Sequence, residues 1–350
     1  MIQEHFLTIS EPESWNKYLP PNRSVFGSLG YARICKTHRK SSPRLYVVTM
    51  NESSICYPTH FRTTSDLSFS SGAEGRWDTT TPEYTGPIAQ NCDSALTNAF
   101  SLLRDEAFRQ EGVIAEFAHL HPWENSEALL PEGREFNRNI VWIDTELSLD
   151  VLWSVHCEHS CRKNIKTAQN YGVTVFEGST DEHIREFHRV YIETMKRNNA
   201  LPVYYFCLDF FKAFRDELPD NCKFMMAEYR DKIVAATLYL HDDNDVFSFL
   251  GGADAEVQHV RPTNLLIWET IRWANLAGKR RFILGGGYRP NDGILRFKST
   301  FSRFQEPFYV YRKVHMKEEY NLLDRRCREH NALGGEPIGY FPSYRCVENA

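Results

Sequence analysis

The densest group of chemistry-bearing residues is His156, Cys157, His159 and Cys161. The two thiols stand one helical turn apart and can face a single ion. Structural zinc sites pair two short-spaced couples, and Cys327 with His330 could add a Cys-x-x-His couple, but a scattered set of this kind is the weaker reading and no metal is expected. Further on, Gly285, Gly286 and Gly287 follow an apolar run and precede Tyr288 and Arg289. Such a loop can cradle a donor group, or it can be an ordinary turn after a strand. Arg162, Lys163 and Lys166 recur at helical spacing and form a basic face, either solvated surface or ligand site.

These residues must be positioned by strands and helices that the apolar pattern outlines. Arg44 to Met50 and Ser53 to Phe61, around Asn51-Glu52, read as a hairpin. A loop rich in Ser, Thr, Gly and Pro is expected from about 62 to 90. Asp93 then caps a helix to about Arg109, with Ala95, Ala99, Leu102, Leu103 and Phe108 near helical spacing, and Val113 to Leu120 returns as a strand. The later half repeats this order. A helix around Ile184 to Arg197 precedes three apolar runs, Lys223 to Tyr229, Lys232 to His241 and Val246 to Gly251, whose turns predict a β-meander. A helix from Thr263 to Ala277 follows, with Thr263 as N-cap and Gly278 as the C′ residue, and Arg281 to Leu284 is a strand ending in the glycines. Strands, helix and strand used twice imply a pair of similar α/β halves.

Composition bounds the rest. With 350 residues, 42% of them hydrophobic and 25% charged, the chain suits two globular domains. Its formal net charge of -5, without runs of like charge, means that any RNA contact is local. The first ten residues hold Glu4 and His5 and no apolar signal core, and no run approaches a membrane span, so a cytoplasmic location is expected. Nine scattered cysteines suit reduced thiols.

Three stretches resemble the Fem family, which transfers amino acids from aminoacyl-tRNA to peptidoglycan precursors, and its relatives among the GNAT acyltransferases. They are Ser148 to Val175, with its Arg162-Lys163-Asn164-Ile165 segment; Tyr191 to Ala200; and Pro262 to Phe301, where helix, strand, glycine run and Phe297-Lys298 occur in the family's order. Glu83 to Ile88 is similar to a Tyr-x-Gly-Pro element, and Phe117 to Trp123 to a strand that leads into an Asp-Pro pair.

The resemblance implies an α/β (α+β) fold of two GNAT-like halves, each a mixed, mostly antiparallel sheet flanked by helices, with a cleft between them. A pair of parallel strands, around Phe247 to Gly252 and ending at Leu284, would splay so that their backbones bind the acyl donor. It implies an acceptor-side half at 1–147, a donor-side half at 148–316 and a tail at 317–350 packing back on the body. Phe297 and Lys298 then lie at the donor end. The ammonium can stabilise an oxyanion or a phosphate, and the ring can pack on a terminal base or ribose. Arg197 corresponds to a residue that holds acceptor phosphates, and its guanidinium suits that task; it also suits a plain helix C-terminus. Tyr84, Gly86, Arg162, Gly285, Gly286, Gly287 and Arg289 complete the expected binding set. His121 stands where the family has Asp; its ring can act as a base near neutral pH or be held by a backbone partner. Ile283 stands where an Asp often precedes the glycines.

The expected donor substrate is aminoacyl-tRNA, with no cofactor, because the loop Val257 to Asn264 lacks the glycines with which CoA-dependent relatives bind pyrophosphate. The expected acceptor is an amine on a peptide, a peptidoglycan precursor, a natural-product intermediate or another small molecule, and the expected state is a monomer. An acyl-CoA-dependent transferase acting on a sugar or peptide amine remains open, as does a non-catalytic descendant that binds tRNA or a peptide.

Overall fold

A computed structural model describes residues 1–20, 22–70, 75–92, 94–124, 126–130, 132–287, 292–333 and 339–349. Asp93, the expected cap, and Tyr288 and Arg289 of the expected donor loop lie outside the described residues. The chain forms two compact units, one made of 1–137 with 308–350 and the other of 138–307. Among the described residues no helix is long and apolar enough to cross a membrane.

The chain begins with β1 (Ile2–Thr8), α1 (Pro12–Tyr18), α2 (Leu29–His38), β2 (Ser42–Met50), β3 (Ser53–Thr63), β4 (Trp77–Thr80), β5 (Ile88–Gln90), α3 (Ser94–Gln110), β6 (Val113–His119) and α4 (Ser126–Leu129). It crosses to the second unit along β7 (Arg134–Asp144). There follow α5 (Leu149–Val151), α6 (His159–Asn170), β8 (Thr174–Gly178), α7 (Asp181–Arg197), α8 (Leu208–Glu217), β9 (Cys222–Tyr229), β10 (Lys232–His241), β11 (Asp245–Ala253), α9 (Pro262–Leu276), β12 (Arg281–Gly285) and α10 (Gly293–Ser299). It returns along β13 (Gln305–Val314) and ends with α11 (Lys317–His330) and a 3₁₀ turn, Ser343–Asn349.

In the first unit the strands run β1, β2, β3, β4, β6, β13, all antiparallel except the parallel pair β4 and β6. The predicted hairpin is present, turned at Asn51 with a φ of 55°. The expected loop at 62–90 instead carries β4 and β5, strands too short to show a period. The helix α3 buries Leu96, Phe100, Arg104, Ala107 and Phe108, whereas Leu102 is 74% exposed. Apolar spacing counted Leu102 among the helix's apolar positions and could not anticipate that Arg104 is buried among partners. Those partners are Glu116, 3.4 Å away; the Tyr311 hydroxyl, 2.8 Å away; and Asp105, 2.6 Å away. Glu116 also accepts from the Tyr57 hydroxyl at 2.7 Å and contacts His315 Nε2 at 2.8 Å. Near the C-terminus, Tyr344 is buried and Arg345 pairs with Asp78 of β4, which Arg62 also holds.

The second unit has a sheet ordered β7, β12, β11, β10, β9, β8. Helices α6 and α9 cover one face, where Cys161, Ile165, Leu266 and Ile271 meet Ala227, Val246 and Phe282. On the other face α7 and α8 pack aromatic rings on the sheet, Phe187 against Phe224 at 5.1 Å and Phe214 against Phe249 at 5.5 Å. Thr180 and His183 form a capping box for α7, whose first turn is acidic and last turn basic. The predicted meander is β9 to β11. The helix α9 ends as expected: Gly278 has a φ of 68°, its N–H donates to Asn275 O and that of Lys279 to Ala274 O, a Schellman closure. Its start differs. Arg261 in the left-handed region is the N-cap, Pro262 takes the first helical position and Thr263 lies inside.

The pairing of β11 is what positions a site. It runs parallel to β12 only at Asp245, Val246 and Phe247, opposite Arg281, Phe282 and Ile283. Beyond Phe247 it continues to Ala253 with β10 as its partner. Phe249 is an extra residue in that ladder, and such a bulge bends the strand where it leaves β12. Among the described residues, the edge of β11 from Ser248 onward has no strand facing it on the β12 side. Helix α7 backs this stretch closely. A Cβ on Gly252 would lie 2.6 Å from Thr194 Oγ1 and 2.7 Å from the Val190 carbonyl. Gly252→Ala is therefore expected to cost about 1–3 kcal/mol in denaturant unfolding, as overpacking does; a change within about 0.5 kcal/mol would refute the tight contact.

Candidate functional site

In the second unit the site forms at the end of β12. Gly285, with a φ of 78°, turns the chain out of the strand, and the next two carbonyls are each taken by a cation. Lys298 Nζ donates to Gly286 O at 2.8 Å, and Arg138 Nη1 donates to Gly287 O at 2.8 Å. A side chain at either glycine would force its neighbours to shift. A Cβ on Gly286 would lie 2.7 Å from Arg138 Cδ and 2.9 Å from Asn139 O, and one on Gly287 would overlap the Asp292 carboxylate.

Asp292 caps α10, accepting from Leu295 N at 2.8 Å. That helix directs Lys298 back to the glycine loop, while Phe297 packs on the core and lies edge-on to Phe301 at 5.5 Å. Burial lowers the Lys298 pKa to about 8, with Asp292 opposing the shift and Arg138 adding to it.

Arg197 lies at the far end of the opened strand. Its Nη1 donates to Ala253 O at 3.0 Å, and its side chain is exposed. Thr194 fixes the same residue, accepting from Ala253 N at 3.1 Å. Arg162 instead serves the turn before α6, donating to Trp153 O at 3.1 Å and to Cys157 O. Among the described residues no three His, Cys, Asp or Glu side chains could hold a metal ion.

The first unit holds the remaining expected residues. After β4 the chain loops out over Pro82–Tyr84 and rejoins β6 at Thr85, whose N–H donates to His119 O at 3.1 Å and whose carbonyl accepts from His121 N at 2.7 Å. Tyr84 takes a φ of 44° and Gly86 one of 121°, so both lie in left-handed backbone. His121 is buried, and its Nδ1 accepts from Trp123 N at 3.4 Å. In that arrangement the neutral ring carries its proton on Nε2.

Three residues of these sites were missed from sequence. Arg138 and Asp292 belong to no motif and meet the glycine loop only in space. His119 stacks on Phe308 at 6.2 Å, with Phe308 against Tyr84 at 5.2 Å, and its Nδ1 is enclosed with no hydrogen-bond partner among the described residues. Strand alternation from the core residues Ala118 and Leu120 could have turned His119 to this face.

Residues 156–299 match the family model for an acetyltransferase (GNAT) domain. No curated protein matches the chain in sequence. Together with the opened parallel pair, the match defines the fold as that of the GNAT acyltransferases. More particularly, it is the Fem-like tandem GNAT fold. The chain is similar to the crystal structure of FemX at 12% identity, covering 91% of this chain and 99% of that one, with a TM-score of 0.67. A tandem GNAT protein from the clavulanic acid biosynthesis pathway is similar at 8% identity, over 89% and 98% of the two chains, with a TM-score of 0.50. A conserved protein from Bacteroides thetaiotaomicron is similar at 13% identity, over 89% and 99%, with a TM-score of 0.57. At such identities the likeness is one of fold.

Proposed function

We propose that the chain is an acyltransferase that moves an aminoacyl group from aminoacyl-tRNA to an amine of a peptide, peptidoglycan-precursor or natural-product acceptor. The observation that carries this reading is the opened edge of β11 with the half-buried Lys298 at the end of its former partner β12. The acceptor amine adds to the ester carbonyl, forming a C–N bond and an oxyanion. Collapse then breaks the ester C–O bond, and the proton lost by the amine ends on the ribose hydroxyl. Lys298, as an ammonium, supplies a donor toward the oxyanion, and positioning of the two substrates supplies most of the remainder.

The aminoacyl-tRNA donor is favoured by the loop between β11 and α9. It reaches α9 through Pro262, which has no N–H, so the start of that helix offers one donor fewer to a pyrophosphate. Tyr84, Gly86 and His121 are assigned to the acceptor. His121 acts as a base only if its Nδ1 first releases the Trp123 N–H.

A second reading, with acyl-CoA as donor, is favoured by the match of 156–299 to an acetyltransferase model. Purified protein incubated with radiolabelled aminoacyl-tRNAs, and in parallel with labelled acetyl-CoA, with cell extract as acceptor, separates the two. Label passing from tRNA into RNase-resistant small molecules supports the first reading. Transfer from acetyl-CoA alone supports the second, and transfer from neither leaves a non-catalytic binding protein.

A further inference from the structure

Arg138, the cation opposite Lys298, has no part in the transfer step itself. Arg138 sits near the start of the antiparallel pairing of β7 with β12, where Val141 faces Gly285, so its backbone is anchored to the strand from which the glycine loop leaves. Its side chain crosses to Gly287 O, and the absence of a Cβ on Gly286 makes room for its methylenes. Two successive carbonyls are thus held from different elements, one by α10 through Lys298 and one by β7 through Arg138.

We propose that Arg138 is a positioning residue for Lys298: by fixing the Gly287 carbonyl it holds the Gly286 carbonyl where the ammonium is anchored, at the end of the opened strand pair. A guanidinium suits this role because it keeps its charge and its donors have fixed geometry. Without it, Gly286 O is the one carbonyl of Gly285–Gly287 that a cation still holds among the described residues, and the ammonium moves with the loop. Arg138 has a second effect. The charged groups acting on Lys298 are Asp292, which favours the ammonium, and Arg138, which opposes it. Loss of Arg138 therefore shifts Lys298 toward the charged form.

The catalytic consequence rests on the acyltransferase reading, but the clamp can be tested without any substrate. The full-length protein is labelled with acetic anhydride over a pH series, and acetylation of Lys298 is followed by peptide mass spectrometry. Half-maximal reactivity is expected near a pH of about 8 in the wild type. It should move to higher pH in Arg138→Gln, by an amount well outside the replicate scatter, and return toward the wild-type midpoint in Arg138→Lys. An unchanged midpoint in Arg138→Gln, in protein whose thermal unfolding matches the wild type, overturns the proposal. Where transfer activity is measurable, Arg138→Gln should lower kcat by about 10²-fold, as misplacement by an ångström does, with acceptor KM changed less than about 3-fold. A loss confined to KM also overturns it. If the wild type transfers nothing from either donor, the proposed function fails while the labelling still judges the clamp.

Discussion

Lys298→Ala is expected to lower kcat by about 10²–10³-fold, the size of loss seen when a preorganised oxyanion donor is removed. Acceptor KM should change little, because the ammonium strengthens its interaction only as charge develops on the donor carbonyl. The pH dependence separates roles. If Lys298 acts as a cation, activity falls as pH rises through about 8, its lowered pKa, whereas a Lys298 that had to be neutral would give a rise over the same range. Stability runs the other way. A lysine whose pKa is lower in the folded protein makes the folded state less favourable wherever the ammonium is formed, and this is relieved between about 8 and the ordinary lysine value as pH rises. Lys298→Met should therefore fold at least as well as the wild type while losing the same activity. A Met variant that keeps more than about a tenth of wild-type kcat would remove Lys298 from the reaction.

The second large effect is expected far from this chemistry, in the polar core of the first unit. Arg104 and Glu116 are both fully buried, and Glu116 also serves Tyr57 and His315. Burial alone would raise the Glu116 pKa, but Arg104, His315 and Tyr57 together outweigh it and hold the carboxyl below its ordinary value. Glu116→Ala leaves Arg104 without its most buried counter-charge and is expected to destabilise by about 3–5 kcal/mol in urea unfolding. Because the folded pKa is depressed, this contribution is present above the unfolded carboxylate value of about 4.3 and is lost as pH falls through the folded value. The variant should accordingly show a flatter acid limb than the wild type. A loss under about 1 kcal/mol would mean that Asp105 and the Tyr311 hydroxyl satisfy Arg104 without Glu116.

This network also marks where sequence reading stops. Helical spacing found α3 but counted Leu102 among its apolar positions and gave no role to Arg104, whose burial depends on partners far away in sequence. Two of those partners, Glu116 and Tyr311, come from β6 and β13, and Tyr57 of β3 completes the network through Glu116; sheet pairing brings them together. Arg162, read as part of a basic ligand face, has its guanidinium on the carbonyls of the preceding turn, a contact that composition cannot signal.

What the sequence determined by itself was local: the hairpin at Asn51, the meander from β9 to β11, the Gly278 closure of α9 and the glycine loop after β12. Each depends on neighbouring residues, through apolar period and the backbone angles that glycine and asparagine permit. Tertiary structure decided which strands lie beside one another and how far they remain paired. The departure of β11 from β12 after three pairs, the Arg138 contact with Gly287 across 149 positions, and the stacking of His119 on Phe308 all depend on it. The physical reason is that hydrogen bonds between distant segments, and the burial that shifts Lys298, arise only once the chain has closed.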